Sequence, residues 1–476
     1  MNTLQISPIE DNFNKGNFQK VLELIDSIKN DRENKFSITE LVELNYFESR
    51  SYERLNDLQK AWECYFSSEE ELKKQEKTKL AELILMCHKA YFWKMGKAEE
   101  VMLDIATNEE FISIISKTYK GLQENNNNYK FEKWLGLYYL LVSVFYIITG
   151  DLLKAKENNK QSLYYYKMCN YKLYIGKNIQ NAAVLFQYEG ELELALDKYF
   201  EAYQIAEEIN DPYTIVVNLY NIGEIYNELN QIPQAIKYYK ECNWKAQELQ
   251  NPVFQASSYL NLLTTYYEEK NESEVQKLLS ELNKLVDESK KNPKIQYIAK
   301  LAKAYSLLLT GNFANTVKAQ DILKKLNYND EILDFTWKIN INFLLIEISL
   351  LEYQMFANSN VLTDVKTYLK NLFSYANENN NPLLQTETFI VEAKIEILSK
   401  NFEKADILLN KAREIVQDKH FHLHEKKIDL EYEKLSKEIN KWKVILNSNT
   451  EHAKHLELNE LMTYINDLKR MHYRKI

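Results

Sequence analysis

The sequence predicts an all-α protein, a right-handed α-solenoid of about nine antiparallel helix pairs closed by C-terminal capping helices. Three observations support this fold class. Only 9 Gly and 6 Pro occur in 476 residues, too few for the many tight turns of a β or α/β protein of this length. The composition, 45% hydrophobic and 27% charged, is typical of amphipathic helices with one solvated face. A unit of about 40 residues also repeats along the chain.

The repeat becomes visible when the chain is aligned on a small or β-branched residue that follows each turn, here called the anchor. A second, usually small residue stands twelve positions before the anchor, and an aromatic residue stands nine positions before it. A small residue facing a large one lets two antiparallel helices approach and interlock. In the middle of the chain the anchors, which follow one another at equal spacing, are Ala155, Ala195, Ala235 and Val275.

One unit shows the pattern with Gly223, Tyr226, Ala235 and Tyr239, and the unit before it shows the same order of small and aromatic residues. This pattern resembles the tetratricopeptide repeat family. The resemblance implies a superhelix of helix pairs whose concave surface binds peptides. The period here is about 40 residues rather than the usual value of about 34 residues, so we expect helices longer than the family norm.

Weaker copies of the repeat extend in both directions, and Asn-Pro sequences should begin new units because proline suits the first helical turn. The gap between Val101 and Ala155 is longer than one period of the repeat, which indicates an insertion. The predicted organisation is N-terminal repeats in 1–107, an insertion in 108–130, core repeats in 131–295, irregular repeats in 296–419 and capping helices in 420–476.

Charge and composition exclude several classes of function. A net charge of −9 argues against a general nucleic-acid binder, because phosphate affinity comes mainly from Lys and Arg. The N-terminus does not read as a secretory signal, and the apolar stretch 134–149 is shorter than the roughly 20 residues of a spanning helix. Four widely spaced cysteines indicate reduced thiols. We therefore expect a cytoplasmic protein that binds no membrane.

Three equivalent helices carry an asparagine at the same position, fourteen places before the anchor: Asn181, Asn221 and Asn261. Helical geometry places them opposite the face that packs on the second helix of each pair, so we expect them to line an open groove. A side-chain amide offers a donor and an acceptor, as an extended peptide backbone requires. The alternative is that these amides cap helix contacts or face water.

Further residues share this face and complete the predicted partner-binding set. Three carboxylates among them favour a partner with Lys or Arg side chains, although a solvated acidic face is the alternative. The added residues are Lys177, Tyr188, Tyr220, Glu224, Asn227, Glu228 and Tyr267, with Gln187 and Glu268 beside them. In the preceding unit the matching face is apolar. This apolar wall comprises Leu137, Leu140, Leu141, Val144 and Ile148. It is either a pocket for an apolar anchor of the partner or is covered by the insertion.

Nothing in the sequence argues for catalysis. It contains no glycine-rich phosphate loop and no HExxH, GxSxG or DxDxDG motif, so we expect no enzyme and no cofactor. His420 and His424 have metal-ligand spacing but lack further ligands, so we interpret them as a surface cluster. The sequence predicts a protein that binds a protein or peptide segment. The alternative is a peptide-responsive regulator similar to bacterial quorum-sensing receptors built from the same repeats.

Overall fold

The computed structural model describes most of the chain up to residue 419. It covers 6–419, apart from 16, 32–35, 56, 75–77, 95–128, 149–150, 190, 290–291, 328–334, 357–360, 379–380 and 400, and adds 429, 432–433 and 436–437. Within these residues every regular element is a helix, which confirms the all-α class. Two compact units are formed: unit 1 comprises 1–147, 152–185 and 193–218, and unit 2 comprises 148–151, 186–192 and 219–476.

Nineteen helices lie in the described part of the chain, and nine antiparallel pairs are complete there. The second helix expected after α5, around Val101, lies outside it. In chain order the helices are α1 Ser7–Asn14, α2 Phe18–Asn30, α3 Ile38–Arg54, α4 Leu58–Lys74, α5 Lys79–Lys94, α6 Tyr129–Ile148, α7 Leu152–Met168, α8 Lys172–Glu189, α9 Leu192–Glu208, α10 Pro212–Glu228, α11 Ile232–Glu248, α12 Pro252–Glu268, α13 Glu272–Glu288, α14 Pro293–Leu309, α15 Phe313–Asn327, α16 Phe335–Phe356, α17 Val361–Glu378, α18 Pro382–Leu398 and α19 Phe402–Lys419.

The long period of the repeat follows from long helices of uniform length that are joined by short turns. From α9 to α13 every helix has 17 residues. The turns place one residue in the left-handed region, with φ between 51° and 57° at Asn170, Asn210, Asn230, Gln250 and Lys270. Such a residue at a helix C-terminus lets the last carbonyls find donors.

The Asn-Pro sequences begin helices as predicted. Proline occupies the start of α12, α14 and α18, and the preceding asparagine caps each helix through its side-chain oxygen. Asn292, for example, accepts from the backbone N–H groups of Lys294 and Ile295 at 3.0 and 3.4 Å. These caps are the sequence signal that ends one pair and opens the next.

The anchors lie at the packing seams of the helix pairs, as the repeat predicted. Ala155, Ala195, Ala235 and Val275 are all fully buried. Two units that are distant in the chain show the same contact at the seam. Ser49 donates to the carbonyl of Ala61, and Ser143 to the carbonyl of Ala155, both at 2.8 Å. The equivalent geometry shows that these are copies of one structural unit.

In unit 2 consecutive helices from α11 to α19 pack against one another, and α12 also packs against α14. The first helices of successive pairs are therefore neighbours. The pair α10/α11 is interlocked by Gly223, because the buried ring of Tyr239 occupies the space that any side chain at that position would fill.

In unit 1 the short helix α1 is held by a polar cluster in addition to its apolar side chains. Lys133 on α6 forms an ion pair with Glu10 on α1 at 2.7 Å, and its ammonium lies 5.1 to 5.8 Å from the ring centroids of Phe47, Trp134 and Tyr171. The hydroxyl of Tyr171 donates to Glu10. These contacts connect α1 to α3, α6 and the turn before α8.

Three of the five residues of the apolar wall on α6 lie in the hydrophobic core of unit 1. Leu137, Leu140 and Leu141 are buried in the same cluster as side chains of α1, α3 and α5. For these three leucines the prediction of an open pocket for a partner's apolar anchor is therefore wrong. The predicted insertion, the capping helices and the histidine cluster at 420–424 lie wholly or mostly outside the described residues. None of the described helices is long and apolar enough to cross a bilayer.

Candidate functional site

The three predicted asparagines occupy equivalent helix positions but are nearly buried in the free chain. Asn181, in unit 1, is 9% exposed, whereas Asn221 and Asn261, in unit 2, are 6% and 5% exposed. The expectation of freely exposed amides is therefore wrong. The physical reason is visible in unit 2, where neighbouring first helices lie close enough to bond across their inner faces.

The clearest such bond joins α10 and α12. The Asn261 side-chain N–H group donates to the Glu224 carboxylate at 2.6 Å. The hydroxyl of Tyr239, on α11, donates to the same carboxylate oxygen. Burial, together with the Glu224 charge, raises the pKa of Tyr239 well above its usual value, so this hydroxyl stays a neutral donor. Glu224 therefore connects the predicted site residue Asn261 to the core of the α10/α11 pair.

A second bond of the same kind lies on the other side of α10. The side-chain amide of Gln187, in the part of α8 that belongs to unit 2, donates to Glu228 at 2.5 Å. Glu224 and Glu228 are one helical turn apart, and they accept from opposite neighbours. Helix α10 is thus the centre of a row of amide–carboxylate bonds. We call the surface formed by Gln187, Glu224, Glu228, Asn261 and Tyr267 the inner face of unit 2.

The inner face continues through an aromatic pair. The rings of Tyr267 on α12 and Tyr305 on α14 meet edge to face, with centroids 5.3 Å apart. Burial and the carboxylates of Glu347 and Glu268 raise the pKa of Tyr267. Glu347, on α16, is nearly buried. Carboxylates from three helices, α10, α12 and α16, thus lie on or beside this surface.

The remaining predicted residues are distributed between the two units. In unit 1 the ammonium of Lys177 lies 4.6 Å from the ring centroid of Tyr174 on the same helix. The Nδ2 atom of Asn181 is buried and has no hydrogen-bond partner in the described part of the chain. In unit 2 Tyr220 is buried and lies near Tyr239, with ring centroids 6.3 Å apart.

Asn227 and Tyr188 are the last two residues of the predicted set, both half-buried in unit 2. The Oδ1 atom of Asn227 is buried without a hydrogen-bond partner among the described residues. An amide acceptor left unsatisfied in this way is available to a donor that the free chain does not supply.

Sequence reasoning missed the roles of Tyr239, Tyr305 and Glu347. Glu347 could have been found from the repeat. It stands eighteen places before Val365, a fully buried residue at the start of the second helix α17 that matches the anchors of the core repeats, and Lys177 stands at the same distance before Ala195. Tyr239 was assigned to packing alone, and its hydroxyl bond to Glu224 has no sequence signature. Tyr305 could have been found in the same way as Glu347, because it stands fourteen places before Ala319, as Asn261 stands before Val275.

The side chains of the described residues limit the kinds of ligand that this chain could bind. All four cysteines, Cys64, Cys87, Cys169 and Cys242, are free thiols. Within the described residues, no three His, Cys, Asp or Glu side chains come together as ligands for a metal ion. The groups that meet on the inner face of unit 2 are carboxylates, amides and tyrosine rings, which bind cations and peptide groups through hydrogen bonds and ring contacts.

Comparisons with known proteins show the fold. A crystal structure described as a Rap protein complexed with competence and sporulation factor is 14% identical, with a TM-score of 0.50, over 79% of this chain and 95% of that chain. The apo form of RapI is 13% identical with a TM-score of 0.47, over 79% and 98%. Aspartyl phosphate phosphatase F from Bacillus subtilis is 15% identical with a TM-score of 0.39, over 87% and 91%. No family model matches the chain, and no curated protein sequence matches it.

Proposed function

We propose that this chain is a cytoplasmic, non-enzymatic binding protein of the tetratricopeptide type, which holds an extended peptide segment on its inner surface. The observation that carries the proposal is the row of amides and carboxylates on neighbouring first helices of unit 2, above all Asn261 and Glu224. The axes of adjacent packed helices lie roughly 8–10 Å apart, which an extended peptide of three residues spans, so one peptide would meet polar groups of more than one helix.

The chemistry of the inner face favours a segment with basic side chains. Glu224, Glu228 and Glu347 lie on or beside the surface, and the rings of Tyr267 and Tyr305 would contact a cation as well. An apolar anchor has less support, because three of the five residues of the wall that suggested it lie in the core of unit 1. The four free thiols support a reducing compartment.

A more specific function is a peptide-responsive regulator. The first structure named above contains a Rap protein in complex with competence and sporulation factor. If this chain uses the shared fold in a similar way, a short signalling peptide would occupy the inner surface and change the affinity for a second protein. The tetratricopeptide assignment and the regulatory role are both parts of this proposal.

The experiment compares recovery of binding partners by three immobilised proteins. These are the wild type, the Asn181→Ala/Asn221→Ala/Asn261→Ala variant and a control in which Gln161, Asn283 and Asn410, exposed amides on second helices, become alanine. We expect the inner variant to lose bound peptides and proteins that the wild type and the control both retain. Equal recovery by all three proteins would reject binding through the inner surface.

A further inference from the structure

The Asn261 amide is held in one orientation in the structure, since one N–H of its Nδ2 atom donates to Glu224 at 2.6 Å. A ligand group that needs this amide in another orientation must replace that bond. A hydrogen bond to a carboxylate is roughly twice as strong as one to a neutral carbonyl. The backbone carbonyl of a neutral peptide therefore offers Asn261 a weaker partner than the one it has. A ligand that brings only neutral groups gains little at this position.

A ligand with a cationic side chain changes that balance. A guanidinium or ammonium group is a stronger partner for Glu224 than a neutral amide, because both groups are charged. Tyr239, on the second helix of the same pair, donates to the same carboxylate, which holds Glu224 in place when Asn261 leaves. The released amide then turns its N–H group to a carbonyl of the ligand backbone.

We propose that Glu224 is a specificity-determining residue that holds Asn261 until a ligand with an arginine or lysine side chain pairs with it. The inference rests on the proposed function, and it adds a rule about which peptides are accepted. Pairing of the ligand's cationic side chain with Glu224 and hydrogen bonding of the ligand's backbone to Asn261 then occur together. A basic peptide is therefore favoured twice, by the ion pair and by the amide that the ion pair releases.

A purely structural role for Glu224 makes a different prediction. As a tie between α10 and α12, it would affect stability and the binding of all peptides to the same degree. The test must therefore measure a ratio between ligands. Citrulline suits this purpose because it has the shape of arginine without the charge.

The probes are two equimolar mixtures of fluorescein-labelled pentapeptides, one with arginine and one with citrulline at the central position. Five extended residues span about 16 Å, enough to reach both α10 and α12. Immobilised wild type, Glu224→Gln, Asn261→Ala and a control, Glu241→Gln on the second helix α11, are compared by retained fluorescence. Thermal melting of each variant verifies that it is folded. Glutamine at 224 retains an oxygen that accepts from Tyr239 and Asn261.

We expect the wild type and Glu241→Gln to retain the arginine mixture over the citrulline mixture by on the order of tenfold. Glu224→Gln should bring that ratio close to one. Asn261→Ala should lower retention of the arginine mixture and leave retention of the citrulline mixture nearly unchanged, because the amide is released only to a charged ligand. The ratio should therefore fall to the value that the ion pair with Glu224 supports alone.

The outcomes separate the inference from the function on which it rests. If the wild type retains neither mixture, the proposed function fails and the inference fails with it. If the wild type retains both mixtures equally, or if Glu224→Gln leaves the ratio unchanged, peptide binding stands but the role of Glu224 is refuted. Should Glu224→Gln not fold, a ratio for Asn261→Ala equal to or above the wild-type ratio would refute the coupling by itself.

Discussion

Replacing Gly223 with alanine tests how tightly the central helix pair is interlocked. A methyl group at this position would lie 2.6 Å from Cδ1 and Cε1 of Tyr239 and 3.2 Å from its Cγ. Carbon atoms pack best at about 3.5–4.0 Å, so the ring would have to retreat by roughly 1 Å. The ring is fully buried, and its hydroxyl is bonded to Glu224, so it has little freedom to move.

The net effect follows from two opposing contributions. Overpacking in a core costs typically about 1–3 kcal/mol, whereas alanine is favoured over glycine inside a helix by about 1 kcal/mol. Contacts as short as 2.6 Å place this site in the upper part of the overpacking range, so we expect Gly223→Ala to lower the free energy of unfolding by roughly 1–2 kcal/mol. Gly176→Ala is the matched control. Its methyl group would meet Cγ2 of half-exposed Ile205 at 3.2 Å, so the variant should be neutral or more stable.

Urea denaturation of both variants, and of each in combination with Tyr239→Leu, measures these differences. The smaller leucine leaves space for the methyl group, so Gly223→Ala should lose most of its cost in that background and give a coupling of about 1–2 kcal/mol. Gly176→Ala should show no such coupling. If Gly223→Ala proves as stable as the wild type with unchanged m-value, the close contact with Tyr239 does not exist as described.

Three further predictions concern local features. Lys270→Gly should stabilise the protein by about 1 kcal/mol, because Lys270 has a φ of 54°, a left-handed conformation that glycine adopts without strain. Lys277→Gly, inside α13, is the control and should destabilise the protein by a similar amount. Asn292→Ala should cost about 1 kcal/mol in thermal unfolding and Asn292→Asp should not, since the side-chain oxygen caps α14. Burial and the charge of Arg50 lower the pKa of His88 to about 3. Between about pH 6.5 and about pH 3 the unfolded chain binds a proton at His88 that the folded chain does not bind. The free energy of unfolding therefore falls as pH drops from about 6.5 toward 3, by up to about 1.4 kcal/mol per pH unit. Denaturation of His88→Phe over the same range should lack this pH-dependent loss of stability.

Much of the fold could be predicted because it is encoded at short range. Proline and a capping asparagine mark helix starts, and a small anchor recurs with the helix pair. Each is a local requirement, so Ala155 and Ala235 are as buried as the alignment implied. The turns were harder to predict. Gln250 and Lys270 take a left-handed conformation that usually signals glycine or asparagine, so residue type does not reveal them.

The site could be predicted only in part, because its contacts join different helices. Asn261 and Glu224 were both assigned to the inner face, but the bond between them depends on the offset of α12 against α10. Leu140 likewise lies in one hydrophobic cluster with side chains of α1, α3 and α5, which lie far earlier in the chain. Sequence periodicity shows which side of a helix a residue occupies, and it does not show which helix lies opposite.

The central claim is that a peptide segment lies along the inner face of unit 2. It is tested most directly by photo-crosslinking in cells, with p-benzoyl-phenylalanine in place of Tyr267 on this face or of Trp244, which is 53% exposed on the second helix α11. We expect a peptide adduct at position 267 that is absent at 244 and is lost when Asn221 and Asn261 are both alanine. Equal adducts at the two positions, or an adduct at 267 unaffected by the double substitution, would contradict the claim.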